Sequence, residues 1–254
     1  MTSHVSSVVR PDGRCLVRPR GTWTARAAAD AVELANHLDL PAIAHADAHA
    51  TAEHAALVEA GFSAWRSEAV VAISVDSALE ALRGVEVPTG VVFRSAADVN
   101  EDRLRLLDDE LRQDVPGTSG WRSTPDEFRA HTFEDPAFDP RTYLVAVGSA
   151  SDEYLGLVRI WMNPQGPRLG MVGVRREHRR RGLASALIAH AFAAVRSAGA
   201  AQVSTKFDIA NRGSRAIAER LEARRLGTVI ELVYEPHATP PAARPDSKEA
   251  PVVR

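Results

Sequence analysis

"GVRREHRRRGLASALIAH", Gly173 to His190, sets a strand end, a basic turn with one glycine, and an alanine- and leucine-rich helix in direct succession. A glycine between a buried strand and a helix lets the main chain approach a ligand closely. The unpaired N–H groups of the helix's first turn then face whatever occupies that space. Gly182 is followed here by Leu183, Ala184 and Ser185, so several donors can converge on a pyrophosphate while Arg179, Arg180 and Arg181 supply counter-charge. A solvated basic loop preceding a helix has the same composition, and these residues alone leave both readings open. Neither G-x-x-x-x-G-K-[ST] nor G-x-G-x-x-G is present, so the signature loops of P-loop kinases and dinucleotide-dependent dehydrogenases are missing.

The rest of the chain narrows the choice of anion. At 254 residues, 45% hydrophobic and 25% charged, it can bury one large core or two small ones. A formal net charge of −2 makes the arginine run a local patch, which argues against nucleic-acid binding. Cys15 is the only cysteine, excluding an intramolecular disulfide and a cysteine-rich metal site. No apolar signal core marks the amino terminus, and Leu183 to Val195 is too short to span a bilayer; the expected location is the cytoplasm, with no membrane partner.

Turn chemistry divides the sequence. "GVEVPTG" (Gly84 to Gly90) reads as a joint near residue 85, and the proline-rich stretch 237–254 reads as a disordered tail. After the joint, "VVFRS" predicts a strand, followed by a helix from about Asp98 to Arg112 with Leu104, Leu107 and Leu111 on one face and Asp98 with Glu101 as a capping box. A second box follows at Thr124, Pro125 and Glu127. "TYLVAVG", "YLGLVRIWM" and "LGMVGV" predict an antiparallel meander. Beyond the Gly182 turn come a helix from Leu183 to about Ser197, the strand "QVSTKF", a helix after Asn211, and a last strand, "TVIELVYE".

"VGVRREHRRRGLASAL" resembles the acyl-CoA-binding motif of the GCN5-related N-acetyltransferase (GNAT) superfamily, in which V-x-V leads to [QR]-x-x-G-x-[GA]. Val172, Gly173, Val174, Arg179, Gly182 and Ala184 occupy those positions. "FDIANRGSRAIAERLEARRLG" resembles the superfamily's second motif, and the likeness spans roughly Val87 to Glu235. Gly120 with Trp121, Phe138 to Pro140, and "VRIW" are most similar to tandem-domain mycothiol synthase-like acetyltransferases. The resemblance implies an α/β (α+β) fold: a mixed, mostly antiparallel sheet flanked by helices over residues 85–236, preceded by a degenerate half-unit over 1–84. It also implies acetyl-CoA as acyl donor and a primary amine of a small molecule as acceptor, such as an amino sugar, thiol precursor or antibiotic-like compound, in a monomer or homodimer.

By the same resemblance, the pyrophosphate sits on the N–H groups of Arg180 to Ser185. The pantetheine arm lies along Val172 to Val174, a strand N–H near Val174 faces the oxyanion, and Asn211 and Ser214 contact the cofactor. For Asn211 a purely capping role is equally open. The tyrosine that many members carry seven residues after this Asn, as general acid, is replaced by Ala218. Tyr234, another donor or water is left to protonate the thiolate, and Asp208 is the candidate acceptor of the amine's proton, a turn role being its alternative. The missing tyrosine also motivates a rival function, an acyl-CoA-binding sensor or scaffold without turnover.

Residues 1–84 resemble a worn copy of the same unit. Arg18 to Val32 parallels the Gly182 turn and its helix, "PAIAHAD" parallels "AQVSTKFD", and His54 to Ser74 parallels the last helix and strands. Trp23 stands where the binding turn needs a small residue, so this half is expected to bind no cofactor and to extend or shield the sheet. His45, His49 and His54 lack a carboxylate at ligand spacing and predict no metal. Trp121 and Trp161 are candidates to line the acceptor pocket, with core packing the alternative for Trp161. The acids Asp109, Glu110 and Asp114 hint at a cationic acceptor.

Overall fold

The computed structural model describes residues 4–236, so the proline-rich stretch 237–254 lies outside the described residues. Strands β1 (Val5–Val9), β2 (Cys15–Pro19), β3 (Ala42–Asp47) and β4 (Ser63–Ser74) come from the front of the chain. They are followed by β5 (Val91–Ser95), β6 (Tyr143–Gly148), β7 (Tyr154–Trp161), β8 (Arg168–Val174), β9 (Gln202–Asp208) and β10 (Arg224–Tyr234). The helices are α1 (Ala25–Leu38), α2 (Thr51–Glu59), α3 (Val75–Ala81), α4 (Glu101–Arg112), α5 (Pro125–Ala130), α6 (Leu183–Ser197) and α7 (Arg212–Arg220).

All ten strands join one mixed sheet in the order β1-β2-β3-β10-β4-β9-β8-β7-β6-β5. Among the described residues, only the β2–β3 and β8–β9 pairs are parallel. Read outward from the central β10–β4 pair, the sheet nearly repeats itself: β3 answers β9, β2 answers β8, β1 answers β7, and α1 and α6 fill the corresponding crossovers. Each half has passed its last strand to the other. Front strand β4 pairs with β9, and β10 pairs with β3.

The exchange extends into the core. Ile73, Val75, Ala78 and Leu82, all before the Gly84–Gly90 joint, pack in one cluster with Leu187, Ile188 and Phe192 of α6. That joint is a connection between α3 and β5, and the residues on its two sides share one core. Every residue of β7 is buried because α6 covers one face of the sheet and α4 the other. The front half has its own cluster, in which Ala27, Ala28, Ala31 and Ala35 present a smooth stripe of α1 to β2 and β3.

Local signals fix the helix starts. Thr124 and Glu127 form the expected reciprocal box around Pro125. The first helix of the second half starts later than the sequence suggested. Asp98 closes a single 3-10 turn, and Asn100 caps α4 by accepting the Arg103 N–H at 3.0 Å. Asn holds the extended cap conformation and its short carboxamide reaches the third N–H as well as Asp does.

Charges are buried where the strands cross between halves. Glu231 on β10 is wholly buried, Glu68 on β4 nearly so, and Arg66 on β4 reaches both, with Nη2 2.6 Å from Glu231 and Nη1 2.9 Å from Glu68. His45 on β3 lies 3.0 Å from Glu231, and Lys206 on β9 lies 2.5 Å from Glu68. The network therefore spans the four central strands. Burial alone would raise the Glu231 carboxyl, but hydrogen bonds from His45 and Arg66 override it and hold the group at about 2. Because that value lies below the ordinary 4.5, the stabilisation is fully present above pH 4.5 and is lost as pH falls toward 2. Glu231→Gln should cost about 3 kcal/mol at neutral pH, because it leaves buried Arg66 under-compensated. Denaturant unfolding across pH should show the gap between wild type and variant closing below pH 4.5; a gap that is the same at pH 7 and pH 3 would refute the assignment.

Candidate active site

β8 and β9 are held on opposite sides. β8 pairs along its length with β7, from Trp161 opposite Arg168 to Gly156 opposite Val174. β9 pairs along its length with β4, from Ser74 opposite Gln202 to Glu68 opposite Asp208. Between β8 and β9 the register holds only Arg168 opposite Ser204. Past that point the sheet opens, and the inner edge of β8 is left free to accept another extended chain.

A cavity of about 580 Å³ occupies this opening and is floored by Val172, Gly173 and Val174. Its far end is the Gly182 turn. Arg180 and Gly182 both have left-handed backbone, φ 63° and 81°, and α6 then begins with no side-chain cap. The first helical donor to find an acceptor is the Ala186 N–H, on the Gly182 carbonyl, so the N–H groups from Arg180 through Ser185 meet no acceptor in the protein. A Cβ on Gly182 would have open space before it, whereas one on Gly173 would press within 3.0 Å of Leu111 of α4. The first glycine keeps the cradle clear and the second lets α4 close over β8. Open left-handed backbone, unpaired donors and an unpaired strand edge together fit a pyrophosphate with an extended arm.

The arginines divide their work. Arg179 donates from Nε to the Val174 carbonyl at 2.8 Å and from Nη2 to Asp114 at 2.5 Å, and Arg176 also binds Asp114. Hydrogen bonds from Arg176 and Arg179 hold the Asp114 carboxyl at about 2. Arg179 thus fastens the turn to the end of α4, and its charge is shared with an acid. Arg180 lines the cavity, while Arg181 lines a separate one of about 250 Å³ beside Gly90 and Gly148. Arg220 of α7, which sequence reasoning missed, donates to Ser185 Oγ at 2.9 Å and faces the cavity.

Asn211 caps α7, accepting the Ser214 N–H at 3.1 Å, and with Ser214 it lines both this cavity and an adjoining one of about 210 Å³. Asp208 lines the adjoining cavity, but its Oδ1 accepts the Ala210 N–H at 2.7 Å in the turn before α7. Ala218, in place of the family's tyrosine, lines that cavity and brings no hydroxyl. The structure does not bring Tyr234 to this place. Its hydroxyl donates to Asn36 at 3.1 Å and its ring packs on Phe62 in the front core, because β10 runs out along β3.

A third cavity, about 690 Å³, shares Arg66, Glu68, Gly170 and Lys206 with the second and opens between the halves. Trp121 and Trp161 both line it, and Trp161 is also buried in the core. The acids that hinted at a cationic acceptor are absent from its lining. Asp109 accepts the Ser123 N–H, Glu110 pairs with Arg175 at 2.9 Å, and Asp114 holds the turn. His45, Glu68 and Glu231 offer ligand atoms within 4.8 Å of one another, carboxylates that the sequence could not place beside a histidine. Arg66 and Lys206 already neutralise that set, which leaves no net negative charge to draw a metal. His49 and His54 take no part in it.

At the turn corresponding to Gly182, the front half pairs two of its donors with its own side chains. Thr24 Oγ1 accepts the Ala27 N–H at 3.2 Å, a Glu53 carboxylate oxygen accepts the Trp23 N–H at 3.2 Å, and the Trp23 indole is buried, donating to the His45 carbonyl. An acid of the protein stands where an anion would bind.

Residues 105–222 match the acetyltransferase (GNAT) family. No functionally curated protein matches it in sequence. Among solved structures it is similar to a GCN5-related N-acetyltransferase from Sphaerobacter thermophilus, at 19% identity and TM-score 0.67, over 91% of this chain and 76% of that one. It is similar to a tandem GNAT protein from the clavulanic acid biosynthesis pathway, at 18% identity and TM-score 0.63, over 88% and 75%. A GCN5-related N-acetyltransferase from Kribbella flavida matches at 16% identity and TM-score 0.58, over 92% and 87%. No helix among the described residues is long and apolar enough to cross a membrane.

The cradle makes a direct prediction. Gly182→Val should lower acetyl-CoA affinity more than tenfold by filling the open space. Left-handed strain of about 1–2 kcal/mol should lower the melting temperature by only a few degrees. Calorimetry beside thermal melting checks this, and full affinity in the folded variant would exclude the turn as the pyrophosphate site.

Proposed function

We propose that this protein is an acetyl-CoA-dependent N-acetyltransferase acting on a primary amine of a small molecule. The observation that carries the reading is the run of unpaired N–H groups from Arg180 through Ser185 at the end of a cavity that continues along the free edge of β8. The cosubstrate would bring an acetyl group activated as a thioester. The turn would hold its diphosphate, Val172 to Val174 would pair with its amides, and a β8 N–H near Val174 would face the carbonyl oxygen as negative charge develops. Asn211 and Ser214 line the passage between the first two cavities, where the arm would pass.

Glu68 is the best placed group to take the amine's proton. Its carboxylate lines both the second and third cavities, and Arg66 and Lys206 orient it. Asp208, tied into its turn, is the weaker choice. With Ala218 in place of a phenol, the thiolate would leave with water as its proton source, which its moderate basicity tolerates. The same Ala218 supports the second reading, an acyl-CoA-binding protein without turnover.

Release of CoA thiol in the presence of a panel of primary amines separates the two readings, and none from any amine would favour the second. Titration should give one acetyl-CoA per chain, because Glu53 and Trp23 close the front turn; two would overturn that part. Glu68→Gln should lower kcat about a hundredfold while leaving acetyl-CoA affinity unchanged. A kcat within threefold of wild type would remove Glu68 as the base.

A further inference from the structure

The third cavity carries more positive charge than its own acids balance. Asp108 is shared between Arg112 and Arg159, Glu68 between Arg66 and Lys206, and Asp135 accepts the Ala137 N–H at 2.8 Å. That leaves Arg18 on β2 and Arg168 on β8, both on the lining and neither with a hydrogen bond or ion pair among the described residues. Arg159 on β7 reinforces them. Its side chain is more than nine-tenths buried, Asp108 lies 3.2 Å from one nitrogen only, Nε has no partner, and the guanidinium sits 5.0 Å from the Trp161 ring centre. Burial pushes the Arg168 guanidinium below its ordinary value, and the like charges of Arg159 and Arg18 push the same way against an opposing pull from Asp135. Asp135 balances these charges only in part, and an anionic ligand would add the missing counter-charge.

The path to these cations runs along β8. A register shift against β7 leaves Gly170 as a bulge between Leu169, which packs toward α6, and Met171, which packs toward α4. Arg168 and Gly170 line both the second and third cavities, and Val172 lines the first two. Gly170 keeps this path open. A Cβ there would come within 2.8 Å of Trp161 Nε1, so backbone and indole together form a flat floor between the acyl end and Arg168. Val172 and Arg168 are four strand positions apart, which at about 3.3 Å per residue is at most about 13 Å, and the bulge at Gly170 shortens it to about 10 Å.

From this arrangement we infer that the acceptor is an elongated amine whose opposite end carries a carboxylate or phosphate, about 10 Å from the nitrogen, read by Arg168, Arg18 and Arg159. The inference rests on the acetyl-transfer reading for the position of the amine. It replaces the cationic acceptor that the sequence suggested, and a free α-amino acid is too short to span the two ends.

The test measures binding to protein saturated with CoA, so its outcome does not depend on turnover. Triglycine, which extends about 10 Å from amine to carboxylate, is compared by calorimetry with triglycinamide, which lacks the charge, and with 5-aminopentyl phosphate. At least one anionic probe should bind ten- to a hundredfold more tightly than triglycinamide, and whichever of the two binds more tightly identifies the group. Arg168→Gln, an exposed position where folding is readily verified by circular dichroism, should reduce that advantage to within about twofold, and Arg18→Gln should reduce it in part. Equal binding of the amide, or an anionic advantage that survives in Arg168→Gln, would overturn the inference. CoA release from neutral amines accompanied by equal binding would overturn it while leaving acetyl transfer intact, and charge-selective binding without release would do the reverse.

Discussion

Arg66 is the pivot of the molecule. It stands on β4, the strand donated across the pseudo-symmetric centre, and binds Glu231 of the strand donated in return. Gly117 packs so closely that a Cβ there would lie 2.4 Å from the guanidinium, and the carbonyl of Gly117 accepts from Arg10 at 2.8 Å. Buried ion pairs contribute little net stability when compared with apolar packing, but they punish any arrangement that separates the partners. Here the partners lie on adjacent strands from opposite halves, so the network discriminates in favour of the exchanged topology. With β4 locked against β10, β9 must follow β4, and β8, fixed to β7, cannot follow both neighbours. The opening between β8 and β9 is thus a consequence of where the central strands are tied.

The two Gly-containing turns show how a fold keeps a backbone shape and changes its use. At Gly182 the donors are left unpaired beside open space, an arrangement whose cost a bound anion would offset. At the front turn Thr24 and Glu53 each accept one of the donors, and the Trp23 indole is buried beneath it. The front half contributes Val8, Leu16 and Arg18 to the third cavity.

What the sequence disclosed was local. The Thr124 box, the span of α6 and the Asn211 cap depend on residues within a turn of one another, and they stand where the pattern put them. The V-x-V strand and Gly182 were legible because close backbone approach restricts residue type. Pairings between distant residues were not. Glu68 and Lys206 are far apart in the chain and meet only because β4 crosses over, and nothing near either position signals it. The acids of α4 looked free for an acceptor because their arginine partners, such as Arg175 and Arg179, could equally have been solvated. Tyr234 looked available because a strand's neighbour cannot be read from the strand itself, and its true neighbour is β3.

The strand made last occupies the middle of the sheet. β10 follows every other strand in sequence yet separates β3 from β4, so until residues 224–234 have emerged both of those strands expose unpaired edges. Assembly of the centre must therefore wait for the whole described chain, and non-local pairing of this kind is slow and open to edge-to-edge association. In a cell, the hazard for this protein lies in the interval between translation and closure, and protection by a chaperone would matter most then.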